Sequence, residues 1–123
     1  MYEHDPVTHR IIGCAIEVHR VLGPGLPEAP YEEALCRELC DVGLEYVRQV
    51  SVPVVYKGHI IGEYRPDLVV ANHVVVEIKS VERLIGLHKA QVLTYMRLLQ
   101  LPVGLILNFY GQTLRTGIKR LAI

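Results

Sequence analysis

The chain has 123 residues, 50% of them hydrophobic and 21% charged, which excludes disorder as its main state and predicts one layered domain over residues 1–123 with its own core. Thirteen Lys and Arg offset thirteen Asp and Glu, so a formal charge of zero excludes the basic excess that drives sequence-blind nucleic-acid binding, and a polyanion has to meet a local patch. The longest apolar stretches, such as Val103 to Leu107, fall far short of the roughly 18 to 20 residues of a membrane span. Apolar residues Val7, Ile11, Cys14, Val18, Val21 and Leu22 recur at helical spacing until Gly23-Pro24-Gly25 stops the pattern, predicting a first amphipathic helix. A second opens at Pro27, suited to a first turn, and runs through Tyr31, Leu35, Leu39 and Val42 to Gly43. Glu28, Glu32 and Glu33 lie near its positive end.

After Gly43 the period falls to two. Val50 to Tyr56 and Ile60 to Tyr64, joined by Lys57, Gly58 and His59, predict a β-hairpin, with Pro53 holding its first strand at or near an edge. The second strand is expected to continue, bent at Pro66, to Val70, where Ala71, Asn72 and His73 turn the chain into Val74 to Lys79. A long helix from Leu84 to Gln100, closed by Pro102, a buried strand from Val103 to Phe109 and a last strand from Thr116 to Ile123 complete the order α, α, β, β, β, α, β, β. The class is α/β, sheet and helices in layers, with no internal repeat or long linker.

Pro66-Asp67 is followed, nine residues on, by Glu77-Ile78-Lys79. With Ala71 to His73 as the turn, Val70 faces Val74 and Asp67 falls directly opposite Glu77, where Cβ atoms are about 4.5 to 5.5 Å apart and like charges repel. Two such carboxylates want a cation between them; hard oxygen ligands favour Mg²⁺ or Mn²⁺, and Lys79, on the same strand face as Glu77, is placed to act on water. Alternatively Arg65, Asp67, Glu77 and Lys79 read as the wet face of a hairpin whose dry face is Tyr64, Pro66, Leu68, Val70, Val74, Val76 and Ile78. Val69 and Val75 fall on that wet side, which argues that it is partly covered.

On the long helix, Gln91 and Tyr95 share a side with Leu84, Leu87 and Leu98, leaving Lys89, Arg97 and Gln100 for solvent, although Leu93 falls among those charges. A polar pair on an apolar stripe needs partners, and the hairpin's carboxylates and lysine are available; a satisfied core Gln and a rim Tyr read equally well. Glu28, on the stripe of Tyr31, Leu35 and Leu39, is either a third acidic ligand or a first-turn glutamate favouring the helix dipole, and for Glu32 and Glu33 the dipole reading leads. Cys36 and Cys40, one turn apart, lack a CxxC or His-x-x-x-His companion and read as packing residues with Cys14. His4, His9, His19, His59 and His73 are scattered and carry no assigned role. Three cysteines and no basic-then-apolar leader in MYEHDPVTHR predict a soluble protein of the reducing cytoplasm.

Gly25-Leu26-Pro27-Glu28-Ala29-Pro30-Tyr31, with Asp67, Glu77-x-Lys79 and Gln91-x-x-x-Tyr95, resembles the GxxExxY protein family, a branch of the PD-(D/E)XK nuclease superfamily. The resemblance spans nearly the whole chain, and Ala29-Pro30 departs from the residues that more often precede the signature tyrosine. It implies a restriction-endonuclease-like αβββαβ core, a mixed central sheet flanked by helices. It further implies that Asp67, Glu77 and the Ile78 carbonyl are metal ligands, with Glu28 completing the shell, that Lys79 orients the attacking water, and that Gln91 and Tyr95 support the site or touch the phosphate. The expected function is a Mg²⁺- or Mn²⁺-dependent nuclease acting on DNA or RNA. An alternative keeps the fold without the chemistry, as an interaction or scaffold module; and the nearly all-apolar helix around Leu93 makes a homodimer a further expectation.

Overall fold

A computed structural model describes residues 5–123; residues 1–4, His4 among them, lie outside the described residues. Asp5 caps the first helix, α1 (Pro6–Leu22), its carboxylate accepting from the Val7 amide at 2.9 Å and the Thr8 amide at 3.4 Å. Gly23, with φ of 69°, ends α1, and α2 (Glu28–Asp41) folds back against it. The turn between them is tied down by Tyr31, whose hydroxyl donates to the Gly23 carbonyl at 2.6 Å and accepts from the Leu26 amide at 3.2 Å. Behind it, Tyr31 stacks on Phe109 with ring centroids 4.4 Å apart.

The strands are β1 (Tyr46–Arg48), β2 (Val52–Tyr56), β3 (His59–Tyr64), β4 (Leu68–Val70), β5 (Val74–Lys79), β6 (Val103–Asn108) and β7 (Ile118–Ala122), with α3 (Gly86–Leu99) between β5 and β6. Five of them form a mixed sheet in the order β1-β4-β5-β6-β7, parallel only between β5 and β6, the pair that α3 connects. β2 and β3 make a separate two-stranded ribbon. Alternation splits β5 between two cores. Val74, Val76 and Ile78 pack with Leu68, Val70, Leu105 and Leu107 under α1 and α2, whereas Val75 joins Val69 and Ile106 beneath Val92, Tyr95 and Met96 of α3. Gly104 lets α3 come this close: a Cβ there would lie 2.7 Å from both Met96 Sδ and Val92 Cγ1. This is the α/β arrangement expected from the resemblance, a mixed central sheet flanked by helices.

Several expectations need correction. The strand expected to run from Ile60 to Val70 breaks at Arg65-Pro66, and β3 and β4 belong to different sheets. β1 was not expected; three residues are too few for an alternation to register, and pairing with β4 creates the strand. The hairpin turn is Lys57-Gly58 alone, both with positive φ, and His59 already pairs with Tyr56. On α3 the buried stripe is Val92, Tyr95 and Met96, and Leu87, expected on the inner side, is 71% exposed. Cys14 and Cys36 are buried as expected, but Cys40 is exposed. His19 is buried, its Nε2 2.9 Å from the Gly111 carbonyl and 3.3 Å from that of Phe109, and so holds the chain leaving β6. Among the described residues no helix is long and apolar enough to cross a membrane.

Candidate active site

The β4–β5 turn is the three-residue one expected from Ala71 to His73, since Val70 pairs with Val74, Val69 with Val75 and Leu68 with Val76. One further step places Asp67 opposite Glu77, just beyond the end of β4. There the Asp67 carboxylate takes the place of a ladder acceptor, receiving the Ile78 amide at 2.8 Å. N–H and C=O of one strand residue project to the same side, so the Ile78 carbonyl faces this same gap.

Glu77 is 5% exposed, on the face that α3 covers. Burial is the largest cause pushing its carboxyl up, to about 9; the adjoining Asp67 side chain adds to the rise through a hydrogen bond and its charge, while the Lys79 ammonium pulls against it. The Glu77 carboxyl, raised in this way, therefore keeps its proton at neutral pH beside Asp67. Lys79 is half-buried on the same strand face. Tyr95 reaches the pair from α3: burial raises its hydroxyl above the ordinary value, the Glu77 and Asp67 charges add to this, and Gln91 opposes it. Gln91 itself is exposed, one turn earlier on the rim of the same cleft.

Glu28 reaches the carboxyl end of β5 by another route. It is exposed at the first position of α2, and its Oε2 accepts the Ser80 amide at 3.2 Å, while the Ser80 hydroxyl donates to the Leu26 carbonyl at 2.9 Å. The structure thus brings Asp67, Glu77, the Ile78 backbone, Lys79 and Tyr95 together, with Gln91 and Glu28 on the margin. Among the described residues no three acidic, histidine or cysteine side chains are grouped closely enough to hold an ion. The chemistry of the donor set suits a hard divalent cation, since two adjoining carboxyls and a backbone carbonyl facing the same gap are all oxygen donors.

Three residues to which sequence reasoning assigned no part in the site, Glu32, Arg48 and Asn108, belong to this neighbourhood. Glu32, one turn after Glu28 on α2, is only 9% exposed; burial raises its carboxyl, Arg48 opposes the rise and the Asp67 charge adds to it. Arg48 of β1 holds Glu32 at 2.6 and 3.0 Å and Glu33 at 2.8 Å, and the next amide, Gln49, donates to the Asp67 carbonyl at 3.1 Å. β1 thus joins the acidic face of α2 to the Asp67 backbone. The spacing of Glu28 and Glu32 was the available signal; its partner sat on a strand the pattern did not reveal. Asn108, beside Lys79 in the parallel register, accepts the Val81 amide at 3.1 Å and donates to the Val81 carbonyl at 2.9 Å, fixing the chain as it leaves β5. An open groove of about 920 Å³ lies elsewhere, along Tyr46, Val50, Val69 and Leu101, and only one carboxylate, Glu45, lines it.

A sequence profile described as the PD-(D/E)XK nuclease superfamily matches residues 5–121 of the chain. No curated protein and no solved structure gives a significant match.

Proposed function

The chain belongs to the PD-(D/E)XK nuclease superfamily, and from that membership and the paired Asp67 and Glu77 carboxyls we propose a divalent-metal-dependent nuclease that hydrolyses phosphodiester bonds in DNA or RNA. The observation that carries this reading is the buried Glu77 carboxyl set opposite Asp67 beneath α3, with Asp67 bonded to the Ile78 amide, an arrangement that a structural role alone does not require. Asp67, Glu77 and the Ile78 carbonyl would hold Mg²⁺ or Mn²⁺. A cation there supplies charge neutralisation for the phosphate and acidifies water.

The remaining roles belong to the chain's own side chains. Glu77 would release its proton to solvent on serving as a ligand. Lys79 orients the attacking water beside it and offsets the negative charge of the carboxylates. Tyr95, its hydroxyl held protonated at neutral pH, serves as a hydrogen-bond donor, with Gln91 at the rim placed to touch a phosphate. Glu28, at the end of β5, would complete the shell by exchanging the Ser80 amide for the ion. Gly25, Glu28 and Tyr31 support placing the chain in the GxxExxY branch, and three unpaired cysteines support a reducing cytoplasm.

The test incubates the purified chain with Mn²⁺ or Mg²⁺ and labelled single- and double-stranded DNA and RNA. Cleavage lost in both Asp67→Ala and Lys79→Ala supports the assignment; cleavage that survives both substitutions removes it. One observation favours a second reading, an interaction module on the same fold: no three candidate ligand side chains are grouped among the described residues. Calorimetric titration separates the two, since a scaffold has no reason to bind Mn²⁺ in a manner that Asp67→Ala abolishes.

A further inference from the structure

The β2–β3 ribbon pairs with no strand of the main sheet. Its register puts Val52 opposite Tyr64, Val54 opposite Gly62 and Tyr56 opposite His59, with a bulge beyond Val54, so these six residues share one face. At its root this face is buried against α3 through Val52, and Tyr64 stands near enough to Tyr95 to act on its hydroxyl. The face therefore overhangs the carboxylate cleft, and only Arg65 and Pro66 separate Tyr64 from Asp67.

Its surface is aromatic and free of acid. The Tyr64 ring lies across Gly62, where an added Cβ would stand 3.1 Å from the ring, and the residue remains 52% exposed. Tyr56 is 57% exposed about 13 Å along the ribbon, with the Lys57 ammonium 5.4 Å from its ring centroid. Glu63, the ribbon's one carboxylate, is opposite Pro53 on the other face and paired to Arg65 at 2.5 Å.

From this juxtaposition we infer that the ribbon is a stacking platform for single-stranded nucleic acid, with unpaired bases laid on Tyr64 and Tyr56 so that the strand is led into the Asp67–Glu77 cleft. The inference rests on the nuclease reading and narrows its substrate. Exposed aromatic faces attract bases only where those bases are unstacked, and in a chain of zero net charge the cation beside the platform is local, the Lys57 ammonium at Tyr56. Reading a duplex groove calls for several side chains aimed at base edges, and this face offers mostly valine, glycine and tyrosine.

The experiment is fluorescence anisotropy of the full chain with a labelled oligothymidylate of about 16 nucleotides, the upper end of single-strand site sizes, in chelator so that binding is read without cleavage. Tyr56→Ala and Tyr64→Ala each weaken binding about 10-fold and Tyr56→Phe stays within about 2-fold, because the ring face makes the contact. Tyr56 stands clear of the core, so its variant remains informative if Tyr64→Ala unfolds. Unchanged affinity in Tyr56→Ala overturns the inference, as does tighter binding of an equal-length duplex, or sedimentation showing that these tyrosines instead bury a second copy of the chain. The two readings fail separately: oligothymidylate held through the tyrosines but never cut with Mn²⁺ sinks the nuclease, whereas cutting with the same KM in wild type and Tyr56→Ala sinks the platform.

Discussion

Replacing Glu77 by Gln tests the most unusual electrostatic feature of the molecule. The Glu77 carboxyl rises from 4.5 to about 9 on folding. A group whose proton is held more tightly in the folded chain contributes its full stabilisation below the unfolded value and loses it as pH climbs through the folded one. The window for metal-free protein therefore runs from about pH 4.5 to about pH 9. At about 1.36 kcal/mol per pH unit the whole interval corresponds to about 6 kcal/mol. That is comparable to the entire stability of a small domain, about 5 to 15 kcal/mol, so the slope should dominate the pH profile. Urea unfolding at a series of pH values in this window reads it directly. Wild type without metal becomes less stable as pH rises, Glu77→Gln stays flat because its amide cannot ionise, and Mn²⁺ restores the wild type at the alkaline end. Parallel profiles for wild type and Glu77→Gln would refute the buried, protonated carboxyl and the reasoning built on it.

Arg48→Met leaves Glu32, with 11% of its side chain exposed, without its guanidinium, and should cost about 1 to 2 kcal/mol in urea melts; adding Glu32→Gln should recover part of the loss, and additive effects would show that the pair is not coupled. Tyr31→Phe removes the bonds to Gly23 and Leu26 but keeps the Phe109 stack, so thermal melts should register a loss of about 1 to 2 kcal/mol. Gly104→Ala drives a methyl group to 2.7 Å from Met96 and Val92 and should destabilise by about 1 to 3 kcal/mol. A simultaneous Met96→Ala, which vacates one of those contacts, should relieve the clash, and no relief would show that α3 is free to shift.

What could be read from the chain follows from how far each signal reaches. β5 emerges over Val74 to Lys79 as expected, because β-branched residues fill it and a three-residue turn fixes its register. That local fact alone sets Asp67 opposite Glu77. The inner face of α3 is not local: leucines lie most of the way round the helix, and the choice is made by Gly104 on a strand that comes later in the chain. Glu28 shows the limit most clearly. Its spacing from Tyr31 marks it, but where its carboxylate goes depends on Ser80, a residue 52 positions away. β1 and its Arg48 were illegible for the same reason, since three residues with charged neighbours become a strand only beside β4.

Because neighbouring residues of β5 serve opposite faces, Val76 and Ile78 anchoring one helical layer and Glu77 and Lys79 turned toward the other, six positions carry two interleaved messages. Deleting or inserting one residue there would exchange them, turning carboxylate and ammonium toward oil and aliphatic groups toward the cleft beneath α3. Length variation among descendants of this gene should therefore spare β5 absolutely and collect at the Lys57-Gly58 tip, where an extra residue only lengthens an arm.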